Sequence, residues 1–318
     1  MTLEQASEEA YKLTEKDVAL SNKKVIKEYK KVLDETNVKV AKVYNDYLSN
    51  INPDDYLFEL TKGNRLRRLK RQVNNIIAKS MKKIDKLLIE SSELAFTNNY
   101  YRQQYLANFF TKNKAINKVS KSKMKASVLG IADGISDRQF LPKYGKLTDI
   151  LIKNNQLTGK GISNIIQNGI SQGLTPKQME TKIIKQMNVS VNNAIRISRT
   201  EANRNMNAGA YANSLELQQT GEDFKRQIVS IIDSVTREQS IEVNGQIEDS
   251  NGFFTYPGGV LVKVPGNSGV SKWDVNDREV VVLVPVGKDK TIEVGTNPTT
   301  GKNTKISFRN FKSWLKGK

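Results

Sequence analysis

Apolar residues recur at helical spacing from about residue 3 to residue 48: Val18, Val25, Tyr29 and Val32 share one face, and Val40, Tyr44 and Tyr47 continue the pattern. Neither Gly nor Pro interrupts this stretch before Pro53, which predicts one long amphipathic helix. Asn52-Pro53-Asp54-Asp55 reads as a turn leading into a helix N-terminus, where acidic side chains meet the positive end of the dipole. A second helical stretch is expected over roughly 55–117, with a break near Gly63-Asn64. Its apolar stripe, Leu66, Leu69, Val73, Ile76, Ile77, Met81, Ile84 and Leu88, leaves the opposite face to charge. Phe96, Tyr100, Tyr101, Tyr105, Phe109 and Phe110 follow at spacings near four and five. They are expected to pack against neighbouring helices, with base stacking as the alternative.

Lys112 to Lys125 holds six lysines and no acid, and reads as a mobile basic connector. From Ala126 to Thr220 the pattern is helical again, broken by glycines and prolines. Thr175-Pro176-Lys177-Gln178 has the order of a helix start, and Ala194, Ala202, Ala208, Gly209, Ala210 and Ala212 are small enough for close helix contact. After Gly221 the runs Gln227–Ile232, Gly259–Val264 and Glu279–Pro285 are β-rich and separated by turn signals. Phe308, Phe311, Trp314 and Leu315 alternate with Arg309, Lys312, Lys316 and Lys318 in a short amphipathic stretch. It is expected either to dock in a partner's groove, lie on DNA or an anionic surface, or to fray. The expectation is an α+β chain, mainly helical, with long basic helices first and a small β-rich subdomain towards the C-terminus. Four regions follow: 1–125, 126–222, 223–300 and 301–318.

Charge sharpens this picture. The net charge is +18, distributed as +11, +4, −3 and +6 over those four regions. Within 62–86, Lys62, Arg65, Arg67, Arg68, Lys70, Arg71, Lys79, Lys82, Lys83 and Lys86 face a single acid, Asp85. A solvated helix face and a phosphate-binding face are equally served by such a run, and the excess makes these residues candidate contacts to double-stranded DNA. The chain has no His and no Cys. That excludes imidazole- and thiol-dependent catalysis, disulfides and ordinary structural zinc sites, leaving carboxylates, which favour Mg or Ca. The longest aliphatic run, Val280 to Val284, predicts no transmembrane helix, and the polar, acidic start predicts no signal peptide.

An ordered set of short motifs runs through the second half. It comprises Gly169-Ile-Ser-Gln-Gly-Leu-Thr-Pro176, Ala194 to Asn203 with Asn207 and Gly209, Asp233-x-x-x-Arg237, Asn244-Gly245-Gln246 and Asn276-x-Arg278. Together these resemble the minor head proteins of tailed bacteriophages, the Mu F-like head morphogenesis family. The resemblance implies a virion component, made in the host cytoplasm, incorporated near the portal and held inside the head. It implies portal, capsid or scaffold proteins and DNA as partners, with no catalysis, cofactor or small-molecule substrate; membrane contact is not expected. In the family pattern a histidine follows the Asp-Arg pair and the loop ends in Asn-Cys-Arg-Cys, suggesting a metal clasp. Here Ser240, Asp277 and Glu279 stand at the histidine and the two cysteines, and Ile228 stands where tryptophan is common.

With the metal expectation removed, Arg237 or Arg278 is expected to pair with Asp233, Asp277 or Glu279; solvated acids are the alternative. Arg199 and Glu201 sit two apart on a helix and cannot face each other, so a structural role tying the helix to the β subdomain is expected over a catalytic one. Asn244 and Gly245 complete the structural motif. Two competing readings stand beside this. One is a Mg-dependent DNA-processing enzyme built on Asp233, Glu238, Glu242, Glu248 and Asp249, and the other is a DNA-binding protein unrelated to phage.

Overall fold

The computed structural model describes residues 2–49, 64–111, 117–230, 232–234, 236–287, 294–296, 302–308 and 311–316. Lys62 and the expected Pro53 turn and Gly63 break lie outside these residues. The chain is α+β and mainly helical, with short antiparallel strand pairs in its C-terminal half. Helices α1 (Leu3–Ser49) and α2 (Asn64–Ala107) carry the two long stripes. Val25, Tyr29 and Val32 of the first stripe, and Val73, Ile77, Met81, Ile84 and Leu88 of the second, are buried.

The lysine-rich stretch is in part a capped helix rather than a mobile connector. Ser120 accepts the Lys123 N–H at 3.3 Å to open α3 (Lys121–Leu129), and Gly130 closes it in the left-handed region. The apolar positions Ala126 and Val128, which follow the lysines, supply the burial that fixes it. A 3₁₀ turn (Ile135–Phe140) leads to α4 (Leu147–Ser171) and α5 (Pro176–Gln219). At the start of α5, Thr175 Oγ1 accepts from Gln178 N (3.3 Å) while Gln178 Oε1 accepts from Thr175 N (2.9 Å), a reciprocal cap.

The remaining elements are β1 (Phe224–Ser230), α6 (Glu238–Val243), β2 (Phe254–Tyr256), β3 (Val260–Val262), α7 (Ser271–Asp274), β4 (Glu279–Pro285), β5 (Val294–Thr296), β6 (Asn303–Lys305) and α8 (Phe311–Lys316). β1 pairs antiparallel with β4, from Phe224 opposite Pro285 to Ser230 opposite Glu279. Both outer edges of this pair are occupied. Along β1, Ile228 N donates to Gln246 O (2.9 Å), Gly245 N to Ile228 O (2.8 Å) and Glu248 N to Arg226 O (3.0 Å). Gly245 makes this possible by taking φ 82°, which L side chains avoid. Along β4, side-chain amides replace a strand: Val281 N donates to Asn207 Oδ1 (2.9 Å), Leu283 N to Gln103 Oε1 (3.4 Å), and Asn207 Nδ2 to Glu279 O (2.8 Å). Backbone groups along both outer edges of the β1–β4 pair thus find partners among the described residues.

The chain folds into two compact units, each made of separated segments. Residues 21–88 and 148–197 form a four-helix unit from parts of α1, α2, α4 and α5. Polar pairs join its helices, with Asn155 donating to Asp85 (2.8 Å), Ser163 to Asn74 (2.9 Å), and Thr158 bonded to Ser190 (2.8 Å). Residues 1–20, 89–147 and 198–318 form the other unit. Its β part packs Ile228, Val243, Phe254, Tyr256, Val262, Trp273 and Val281 on Ala210. The aromatic series of α2 is packing material: Phe96 and Tyr100 meet Phe140 and Tyr211, while Tyr105 and Phe109 meet Ala6, Ala10, Ile306, Phe308 and Trp314. The C-terminal amphipathic stretch therefore seats its apolar side on this unit's own helices instead of presenting it to a partner.

Candidate functional site

The two groups of candidate residues fall in different compact units. In the four-helix unit, Arg67, Arg68, Arg71, Lys79, Lys82, Lys83 and Lys86 of α2 are exposed. At 100° and 1.5 Å per residue they occupy an arc of about 160° along about 28 Å of helix, opposite the buried stripe. Lys70 is half-buried and bonds Gln167, so it is partly spent inside the unit. Arg65 lies in the first turn of α2, and its side chain is outside the described residues.

Other helices of the same unit add exposed cations: Lys23, Lys24, Lys27, Lys30 and Lys31 on α1, Lys153 and Lys160 on α4, and Lys177, Lys182, Lys185 and Arg196 on α5. Over its residue ranges this unit has 23 lysines and arginines against 10 acids, whereas the other unit has 28 against 23. Most of the chain's excess charge thus belongs to the four-helix unit. A groove of about 480 Å³ between α1 and α2 mixes Glu28 and Glu35 with Lys31, Lys79 and Lys83. With three lysines against two acids, this groove is only weakly positive, and its lysines are shared with the cationic helix faces.

In the other unit the loop residues Asp233, Arg237, Asn244, Asp277, Arg278 and Glu279 come together around the ends of β1 and β4. Arg278 holds Asp233 with two N–H groups, at 3.0 Å and 2.8 Å. The loop after β1 is tightened further by Thr236, whose hydroxyl donates to Asp233 Oδ1 (3.0 Å). Asn244 Oδ1 accepts from Ser230 N (2.9 Å), closing the loop from its other side. Arg237 donates to the carbonyls of Lys272 (2.6 Å), Trp273 (3.2 Å) and Val275 (3.2 Å), which ends α7, and stands 3.7 Å from Asp277. Glu279 accepts from Ser240 Oγ (2.8 Å) and Tyr256 OH (2.5 Å). The Asp233–Arg278 pair is partly exposed, at 41% and 32% of the side chains. Arg278→Ala is therefore expected to cost no more than about 1 kcal/mol in urea unfolding.

These residues do not fit the metal that the family pattern suggests. Ser240, Asp277 and Glu279 meet directly through hydrogen bonds, with a guanidinium beside them and no imidazole or thiolate. Among the described residues no group of three acids converges for a cation. Two of the five acids considered for a Mg enzyme are held by arginines: Asp233 pairs with Arg278, and Glu248 forms a buried pair with Arg226.

Arg199 and Glu201 part company. Arg199 is exposed, while buried Glu201 accepts from Tyr144 OH (2.5 Å) and from Arg204 Nη2 (2.5 Å). The tie from this helix to the β part runs through its neighbours: Thr200 Oγ1 accepts from Asn276 N (3.2 Å), and Asn203 reaches Asp277 (3.3 Å). Sequence reasoning missed Arg204 and Arg226, both buried. The signal was faint: Arg204 lies three residues after Glu201 on one helix face, and Arg226 alternates with Phe224 and Ile228 on the inward side of a strand.

Residues 160–257 match the family described as Phage Mu protein F like protein. The match spans α5, β1 and α6 and ends before Asn276 to Glu279. Over 315 residues, 99% of this chain and 98% of the relative, the sequence is 23% identical to Minor head protein GP7 of Bacillus phage SPP1. It is also 29% identical over 147 residues, 46% of this chain and 30% of the relative, to NAD(+)--arginine ADP-ribosyltransferase EFV of Enterococcus faecalis. No solved structure matches.

Proposed function

We propose that this chain, a minor head protein of the Mu F-like family of tailed bacteriophages, enters the head near the portal and touches packaged DNA there without reading its sequence. The observation that carries the DNA half is the one-sided cationic face of α2, continued on three neighbouring helix segments in the same unit. Its cations lie along a helix exterior with no described aromatic side chain among them, a pattern suited to phosphates rather than stacked bases. The near full-length likeness to a minor head protein supports a place in the virion. Portal, capsid or scaffold partners inside the head extend that reading, and no catalytic step is part of it.

If about six phosphates are engaged, log affinity for duplex DNA falls with log salt at a slope of about −5, equally for unrelated sequences. Combining Arg67→Glu, Arg71→Glu, Lys79→Glu and Lys82→Glu is expected to weaken binding more than tenfold at 0.1 M salt and to flatten that slope. Filter binding at several salt concentrations checks both. Salt-independent binding, or none at low salt, would remove the DNA half. Cross-linking in intact and emptied particles tests the portal half, and neighbours confined to distant capsid faces would overturn it.

A further inference from the structure

Two carboxyl groups lie side by side at the start of β4 with almost no cation to balance them. Asp277 and Glu279 are 4% and 1% exposed. Glu279 accepts from the hydroxyls of Ser240 on α6 and Tyr256 on β2. Asp277 accepts from Glu279 N (3.2 Å) and from Asn203 Nδ2 of α5 (3.3 Å), and its carboxyl feels the charge of the Glu279 carboxyl beside it. Each donor is neutral. The nearby cation, Arg237, has its N–H groups on three carbonyls, lies 3.7 Å from Asp277, and its side chain is 31% exposed. Asp274 of α7, the other acid nearby, accepts from Ser268 N (2.8 Å), Ser268 Oγ (2.7 Å) and Gly269 N (2.8 Å), so it adds negative charge and takes none away.

Two anions buried in contact cannot both persist in such a setting. A carboxyl pair relieves the repulsion by keeping one proton between them. Which partner keeps it follows from the hydrogen bonds. Glu279 receives two hydroxyl donors and is held as the carboxylate; Asp277, with longer bonds, has an O–H to give.

We propose that the segment after β1, strand β2 and the start of β4 are clasped by a single proton, with Asp277 a neutral carboxylic acid donating to the Glu279 carboxylate. Burial, then the charge of Glu279, push Asp277 well above the usual carboxylate range, against the weaker pull of Arg237. Burial and the same acids push the Tyr256 phenol well above its ordinary value, so it remains a donor. The sign follows. A carboxyl whose folded pKa is raised stabilises the fold fully below its unfolded value near 4, and that contribution is lost as pH rises towards the folded value. This clasp is independent of the DNA reading and would hold if that reading failed.

The test is thermal unfolding of the full chain from pH 5 to pH 9, with and without EDTA, zinc and magnesium. Hydrogen exchange over 237–243 and 277–281 is followed alongside. The wild type is expected to lose several degrees of Tm across this range, with exchange rising in both segments. Chelator and metals should leave it unchanged. In Asp277→Asn the amide supplies an N–H for the acid's O–H, and in Glu279→Gln the neighbouring charge is gone, so each variant should show a flatter pH response. An unchanged pH response in both variants, or an Asp277→Asn chain that fails to fold at pH 6, would overturn the proposal. So would a zinc-induced rise in Tm that Asp277→Asn abolishes.

Discussion

Gly209→Ala is expected to destabilise the protein by about 2 kcal/mol, measured by urea unfolding. A Cβ built at Gly209 of α5 would lie 2.2 Å from Phe96 O and 3.2 Å from Tyr100 N, both backbone atoms of α2. A rotamer change cannot relieve a clash with backbone, so the helices must part. The parting would loosen the packing of Phe96 and Tyr100 on Tyr211 and Phe140. Overpacking of this kind costs about 1–3 kcal/mol and sometimes more, while alanine in a helix gains only about 1 kcal/mol over glycine, so the clash decides the sign. Gly159→Ala is the control. Its Cβ would meet only a side-chain atom, Asn74 Oδ1, at 3.3 Å, and an effect within about 1 kcal/mol is expected. A Gly209→Ala chain as stable as the wild type would refute the close approach of α2 and α5.

Arg204→Met is the second large effect, expected at about 3–5 kcal/mol. Arg204 and Glu201 have 1% and 2% of their side chains exposed and pair at 2.5 Å. The guanidinium also donates to Ser127 O (2.8 Å) and Ser127 Oγ (3.3 Å), joining α5 to α3. Deleting the arginine strands a buried carboxylate beside the Tyr144 hydroxyl. Adding Glu201→Gln to Arg204→Met removes that charge and should recover part of the loss. Equal instability of single and double variants would mean that packing, not charge, accounts for the site. The double-variant cycle isolates the pair term only if neither substitution creates a new contact.

The parts of this fold legible in the sequence are those in which burial follows periodicity. The stripe from Val73 to Leu88 and the run Glu279 to Pro285 were readable because their apolar residues outnumber everything else on the face they bury. The apolar pattern places the first β-rich run at Gln227–Ile232; the strand begins at Phe224, and Arg226 points inward because Glu248 awaits it at 2.7 Å. Charge on a buried strand position carries no periodic signal, since it depends on a partner 22 residues away. Of the amides that seal β4, Asn203 and Asn207 were visible only as part of a motif and Gln103 not at all. Asn203 and Asn207 are four apart and hence on one helix face, as are Asn99 and Gln103, but nothing in the spacing says that a strand edge lies opposite. For the candidate site, the loop residues were identifiable by resemblance, whereas their hydrogen bonds depend on tertiary placement. The cationic face of α2 needed no tertiary information, because nine cations and one acid between positions 64 and 86 of the helix leave a single arrangement that keeps most of the charges in water.

Ala6 and Ala10, close to the beginning of α1, are covered by Ile306, Phe308 and Trp314. A ribosome making this chain delivers the two halves of that contact far apart in time. The opening turns of α1 can lean on Tyr105, Leu106 and Phe109 once these emerge, but the cluster is completed only when Ile306, Phe308 and Trp314 follow. Domains generally fold as units during translation, from the N-terminal end onward. Here the larger unit cannot close fully in that order, which leaves an interval in which chaperones can meet the chain before it seals itself.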